Sequence, residues 1–262
     1  MRLLIAVVTH NRLEYTKKCL RSLDESLSND DCIDEEDDYY VTVIDNASTD
    51  GTQEWLRSDE LGGGFYLHDN LILNKANRFP GAACNQAWMV GLQKFDATHL
   101  CRIDNDCLMH DGWFTEAKDC FNSFPDLGQF GLIEMSDAKE FEYIKRTNDE
   151  TNMSINTGPT NIGGPCIVDR KLWDDGLRYS EMPWQHFGGP TPQEDVKLSL
   201  DIKAMGMFFG NTVDRIVTEM SFGNTDDFYS YYERTFAQRG HAAPDRTKDG
   251  STVEHISGSD HI

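Results

Sequence analysis

An α/β fold with a mainly parallel central sheet and helices on both faces is predicted by three features of the 262-residue sequence. Short apolar runs alternate with segments of helical period through the first half, the β-α-β order that gives parallel strands and right-handed crossovers. The runs end in polar clusters, "THNR", "DNASTDG" and "DND". In an open parallel sheet such clusters share one edge, where the strands' carboxyl ends bind ligands.

Each element has its own signal. "LLIAVVTHN" is a continuous apolar run ending in polar residues, as in a central parallel strand. "RLEYTKKCLRSLDESL" then spaces Leu13, Cys19, Leu20, Leu23 and Leu27 as on one helix face. "DDCIDEEDDYY" is acidic and aperiodic, a solvated loop. "YVTVIDNASTDG" gives a second strand and the turn chemistry that opens a short helix, "TQEWLRS". "GFYLHDN" reads as a third strand, "PGAACNQAWMVGLQKF" as a helix rich in small residues at its start, and "THLCRIDND" as a fourth strand.

The second half is less regular. "GQFGLIEM" suits a strand, and "TNIGGPCIVDRKLW" a Gly-Gly turn, a short strand and a helix start. In "PTPQEDVKLSLDIKAMGM", Pro192 precedes a helix whose first turn holds Glu194 and Asp195, where carboxylates suit the dipole. Val196, Leu198, Leu200, Ile202 and Met205 are its expected buried face, and Gly206 its stop. "RIVTEM" reads as a last strand and "FYSYYERTFAQR" as an aromatic-rich helix, with a polar, mobile tail over 240–262.

Composition bounds the function. A hydrophobic content of 39% fits a globular chain, and a formal charge of −21 repels phosphate backbones. Nucleic acid is therefore disfavoured as a partner, although Arg234, Arg239, Arg246 and Lys248 lie close together in the sequence. An anionic nucleotide substrate would need a cation at its site. The seven cysteines form no C-x-x-C pair, and their odd number argues for a reducing cytoplasm over a disulfide framework. No apolar run is long enough to span a bilayer, and "MRLLIAVVTHNR" reads as a strand better than as a signal peptide. A soluble cytoplasmic protein is expected, with peripheral membrane contact left open.

"LCRIDNDCLM" poses the chemical question, since Asp104 and Asp106 end an apolar segment. Buried carboxylates need something positive to meet them. In extended chain, residues two apart point to one side, which would offer both carboxylates to a hard divalent cation. The plainer reading is a strand ending in a solvated acidic turn.

The order of "VVTHNRLEYTKKCLRSL", "VTVIDNASTDGT", "NRFPGAACNQAW", "RIDNDCLM", "GGPCIVDRKLWDDG" and "QEDVKLSLDIKAMG" resembles family 2 nucleotide-sugar glycosyltransferases of the Rossmann-like GT-A fold, from about Leu3 to Gly206. The resemblance implies a single domain over 1–239, with a nucleotide-binding half over 1–106 and an acceptor and catalytic half over 107–239. It places Thr9, Asn11, Arg12, Asp45, Ser48, Arg78, Asn85 and Asp104 around a nucleotide, in most relatives a UDP-sugar, with Asp45 accepting from the base. Ser48 and Asp50 have a plainer reading as the cap of the helix at Thr52. Phe79 stands where the family pattern has glycine.

The resemblance further implies Asp106, with Asp104, as ligands of Mn²⁺ or Mg²⁺ that draws off the departing diphosphate. Asp195 is the expected base of an inverting transfer, with Glu194 beside it, and Gly163 and Gly164 form a turn close to the donor sugar. Trp184 and His186 would form an acceptor platform. Many relatives add a late histidine ligand; here Glu219, His241 or water would fill its place. The acceptor is a hydroxyl of unspecified class: glycan, lipid-linked sugar, protein or modified base. A nucleotidyltransferase of similar fold and a non-catalytic nucleotide- or sugar-binding module are the rival readings.

Overall fold

A computed structural model describes residues 1–30, 33, 38–58, 70–134, 144–158, 162–181, 194–214 and 216–220. The apolar runs form β1 (Arg2–Thr9), β2 (Asp38–Asp45), β3 (Leu71–Leu73) and β4 (His99–Asp104), joined by α1 (Leu13–Ser28), α2 (Thr52–Leu56) and α3 (Pro80–Gly91). Then follow β5 (Cys107–Met109), α4 (Trp113–Ser123), β6 (Leu127–Gly131), β7 (Ile144–Thr147), β8 (Ser154–Thr157) and β9 (Cys166–Asp169). α5 (Arg170–Asp174), α6 (Glu194–Ala204), β10 (Phe208–Asn211) and β11 (Val217–Glu219) complete the described elements. By internal contacts the chain divides into Met1–Thr218 and Glu219–Ile262.

β1 explains the sheet. Leu3 to Val7 are all 0% exposed, so this strand is covered on both faces and needs no alternation. It pairs in parallel with β2 and β4, and β2 pairs in parallel with β3. The register sets Thr9 beside Asp45, Asp45 beside Leu73, and Val8 beside Asp104. The polar clusters after β1, β2 and β4 therefore leave the sheet at one edge, as the sequence predicts.

The two faces are covered by different helices. Leu4, Ala6 and Val8 pack with Ala83, Cys84, Ala87 and Trp88 of α3, in a core that also takes Leu198 and Ile202 of α6. On the opposite face Phe121 of α4 lies 4.4 Å from the ring of His99, the residue paired with Leu3. α4 is tied to α1 by Trp113 Nε1 donating to Ser26 Oγ at 3.0 Å. The small residues of α3 let it approach the sheet closely: a Cβ on Gly91 would lie 2.5 Å from Leu4 Cδ1.

The complete sheet has nine strands in the order β3-β2-β1-β4-β9-β6-β10-β8-β7. β9 runs antiparallel between β4 and β6, so the sheet is mixed in its second half. β5 and β11 form a separate two-stranded sheet beside it. Among the described residues no helix is long and apolar enough to cross a membrane.

Two expectations change, and a third falls outside the described residues. "GFYLHDN" lies outside the described residues except for Asn70, and the strand observed there is β3, immediately after it. The face of α6 is narrower than its apolar spacing suggests: Leu198 and Ile202 are fully buried, while Leu200 is 50% and Met205 38% exposed. The side chain between the two buried residues is polar, and Ser199 earns its burial with hydrogen bonds to Gln129 Oε1 and from the Ile162 amide. Finally, Asp104 and Asp106 do not share one extended strand, because Asn105 and Asp106 form a turn between β4 and β5.

The Gly91 contact yields a test. Gly91→Ala drives a methyl into the Leu4 side chain, and urea unfolding should show a loss of about 1–3 kcal/mol despite alanine's better helix propensity.

Candidate active site

β1 ends in two consecutive non-glycine residues with left-handed backbone, Asn11 (φ 56°) and Arg12 (φ 61°). Each such residue costs about 1–2 kcal/mol, so surrounding bonds must hold them. Asn11 N donates to Ser48 Oγ at 2.6 Å, and Asn11 Oδ1 accepts from Thr49 N at 2.8 Å. The reversal aims Arg12 across the sheet edge, where Nη1 meets Asp106 Oδ2 at 2.7 Å with both side chains nearly buried. Asn105, between the two aspartates, donates to Asn11 O at 2.8 Å and Thr16 Oγ1 at 2.9 Å, fastening the β4–β5 turn to the start of α1.

Asp45 lies at the centre of the neighbouring loop and is 0% exposed. Its carboxylate accepts from Thr9 Oγ1 at 3.0 Å, Ser48 N at 2.9 Å and Gln53 Nε2 at 2.6 Å, and from Ser48 Oγ. In this arrangement Asp45 is turned into the protein and braces the loop rather than facing a ligand. Asp50 is also structural in its contacts. It accepts from the Thr52 hydroxyl and from the amides of Leu13 and Thr52, so it secures the starts of α2 and α1 together; burial raises its carboxyl, but these bonds outweigh it and hold it below the ordinary value.

Asp104 turns the other way. Arg102, two residues earlier on the same face of β4, offers Nε and Nη2 to the two oxygens of Asp104 at 2.9 and 3.3 Å. Nη1 of Arg102 reaches Glu194 at 3.5 Å, and the guanidinium lies 5.1 Å from the ring centre of Tyr179. Arg102 is only 5% exposed and was not among the candidate residues. The sequence did carry a signal for it, the i, i+2 spacing with Asp104 on one strand.

Asp195 follows Glu194 at the start of α6. Burial first, and then the neighbouring Glu194 charge, push its carboxyl up to about 7; the Val196 amide and Arg102 oppose them. Gly163 passes close by, for a Cβ there would sit 3.3 Å from Asp195 Oδ2, while Gly164 adopts φ 60°. The structure thus links Asp104 and Glu194 through Arg102, sets Gly163 beside Asp195, pairs Arg12 with Asp106, and joins Asn11, Thr9, Ser48 and Asp45 in one hydrogen-bond network.

Arg78 is attached to the second group by its backbone, its amide donating to Asn46 Oδ1 at 2.9 Å, while its side chain turns to Gln86. Asn85 is 5% exposed and engaged with the Tyr179 backbone through both amide atoms, so its contacts are structural. Glu219 ends β11. Trp184, His186 and His241 lie outside the described residues.

Two carboxylates supply hard oxygen donors of the kind Mg²⁺ or Mn²⁺ takes alongside substrate phosphates. Among the described residues no three His, Cys, Asp or Glu side chains converge as a metal site. In this structure Asp106 has one oxygen on Arg12 and Asp104 has both oxygens on Arg102, so each carboxylate of the pair already meets a guanidinium.

The fold has counterparts among solved structures. A mannosyltransferase, PcManGT from Pyrobaculum calidifontis, solved with GDP-Man and Mn²⁺, superposes with a TM-score of 0.57 at 17% identity, over 92% of this chain and 65% of that one. TarS 1–349 of S. aureus, solved with UDP-GlcNAc, gives 0.53 at 16% identity over 98% of this chain and 70% of that one. This chain therefore spans about two thirds of the length of these structures. No curated protein sequence matches it. The model of the family "Glycosyl transferase family 2" matches residues 4–173, well over half of the sequence. With that match and a GT-A architecture shared with solved glycosyltransferases, the chain belongs to glycosyl transferase family 2.

Proposed function

We propose that the protein is an inverting, divalent-metal-dependent glycosyltransferase that moves a sugar from a nucleoside-diphosphate donor, a UDP-sugar, to an acceptor hydroxyl. The observation that supports this best is the Asp195 carboxyl, raised to about 7 beside Gly163 and linked through Glu194 and Arg102 to Asp104. A carboxylate with that proton affinity suits a general base at neutral pH. Asp195 takes the proton from the acceptor hydroxyl as its oxygen bonds to the anomeric carbon. The bond from that carbon to the diphosphate breaks on the opposite face, the electron pair leaving with the diphosphate, so the configuration inverts.

Residues 1–106 form the donor side and residues from 107 onward the acceptor side. Arg12 stands where it can meet a phosphate as well as Asp106. Asp106 and Asp104 would hold the Mn²⁺ or Mg²⁺ ion, which when bound supplies Lewis-acid neutralisation of the leaving group. Strong net negative charge makes such neutralisation more valuable. The six cysteines among the described residues are buried free thiols, which supports a reducing, cytoplasmic setting.

A panel of nucleotide-sugars, with and without Mn²⁺, tests the donor reading. A UDP-sugar should raise the melting temperature only with metal and release UDP slowly, and Asp106→Asn should remove both effects. Equal stabilisation without metal overturns the metal dependence, and pyrophosphate release from a nucleoside triphosphate points to a nucleotidyltransferase. For the base, kcat should rise with pH through about 7, and Asp195→Asn should lower it about 10²–10⁴-fold. Glu194→Gln should move that limb to lower pH, because Glu194 raises the Asp195 carboxyl. Arg102→Met should move it upward and cost about 3 kcal/mol in urea unfolding, since it strands two carboxylates.

A further inference from the structure

A groove of about 450 Å³ runs along the outer side of α3, and three of its lining residues are Arg78, Arg170 and Arg178. In a chain of formal charge −21 this is a local reversal of sign. Glu181 is the single acid among the lining residues, and Asp174 pairs with Arg170 at 2.8 Å, so three cations still outnumber two carboxylates. We propose that this groove binds phosphate groups carried by the acceptor, so that the acceptor is a phosphate-bearing molecule and not a neutral sugar. Its role as an acceptor groove rests on the donor reading above; its affinity for phosphate does not.

The guanidiniums are fixed before any ligand arrives. Arg178 stacks on Trp173, 3.3 Å from the ring centre, and Nη1 donates to the carbonyls of Trp173 and Leu177 at 2.7 and 2.6 Å. Arg170 is held by Asp174 and by the Ala97 carbonyl at 3.3 Å, and Arg78 by Gln86 Oε1 at 3.1 Å. A planar guanidinium held in place loses little freedom on meeting a phosphate and can present paired N–H groups to it. Gln86 and Gln93 add neutral amides to the lining.

One end of the groove lies near Glu194. Its upper end, at Ala82 and Asn85, adjoins Gly81, where a Cβ would lie 2.5 Å from Ser180 O and 3.2 Å from Glu194 Cβ. Its lower end is at Leu92 and Gln93, roughly 15 Å further along the helix axis.

Isothermal titration with sodium tripolyphosphate tests the site, at low and at physiological salt. The wild type should bind, more weakly as salt rises, and Arg170→Gln/Arg178→Gln should weaken binding at least tenfold. Because that double variant also loses internal bonds, Gln93→Glu provides a second test: it adds a carboxylate to the groove and should weaken binding several-fold while the melting temperature stays within a few degrees. Unchanged affinity in both variants, no binding to the wild type, or complete loss of binding in Arg12→Gln would each overturn the groove assignment. Release of UDP from the donor is measured without this probe. Groove binding with no UDP release from any donor would leave a phosphate site and remove its role in transfer.

Discussion

One buried cation organises the functional edge. Arg102 sits in β4, an interior strand of the sheet, with its guanidinium against the Tyr179 ring, and faces carboxylates from two distant parts of the chain, Asp104 and Glu194. It supplies the opposite charge that carboxylates near a core require. Arg12 does the same for Asp106 from the opposite direction. The two aspartates of the D-x-D are thereby divided, one toward the β1 loop and one toward α6. The tip of β4 lies between the β1 loop and the start of α6, and the charge balance there depends on arginines that no single motif announces.

The apolar runs of the first half were legible because burial on both faces leaves an unbroken hydrophobic signature, as in β1. Strand direction was not. "CIVD" reads the same whether it runs parallel or antiparallel, and β9 turned out antiparallel to both neighbours. β7 was invisible for another reason: "IKRT" is exposed at every position and has no apolar side to read. In α6 a buried hydrogen-bonding serine stood where the periodicity favoured a leucine.

The candidate site was legible as a set of positions and less so as a set of contacts. Asp104, Glu194, Asp195 and Gly163 do converge. Asp45 was expected to face a base, but its carboxylate is consumed by the Thr9, Ser48 and Gln53 donors, a network that only the register of β1 against β2 brings together. Strain was partly foreseeable. Phe79 adopts φ 69° and ψ 156°, a backbone suited to the glycine that the resemblance expects there. Nothing in the structure explains why phenylalanine occupies it.

The antiparallel strand between β4 and β6 has a consequence for how such a protein can move. Because β9 is hydrogen-bonded to β4 on one side and β6 on the other, the parallel first half and the mixed second half belong to a single continuous sheet. Rigid separation of the two halves would have to tear a ladder of backbone bonds. The spacing of β4 from β6 is thus laid down when the sheet assembles, which leaves no seam through its middle along which the halves could part.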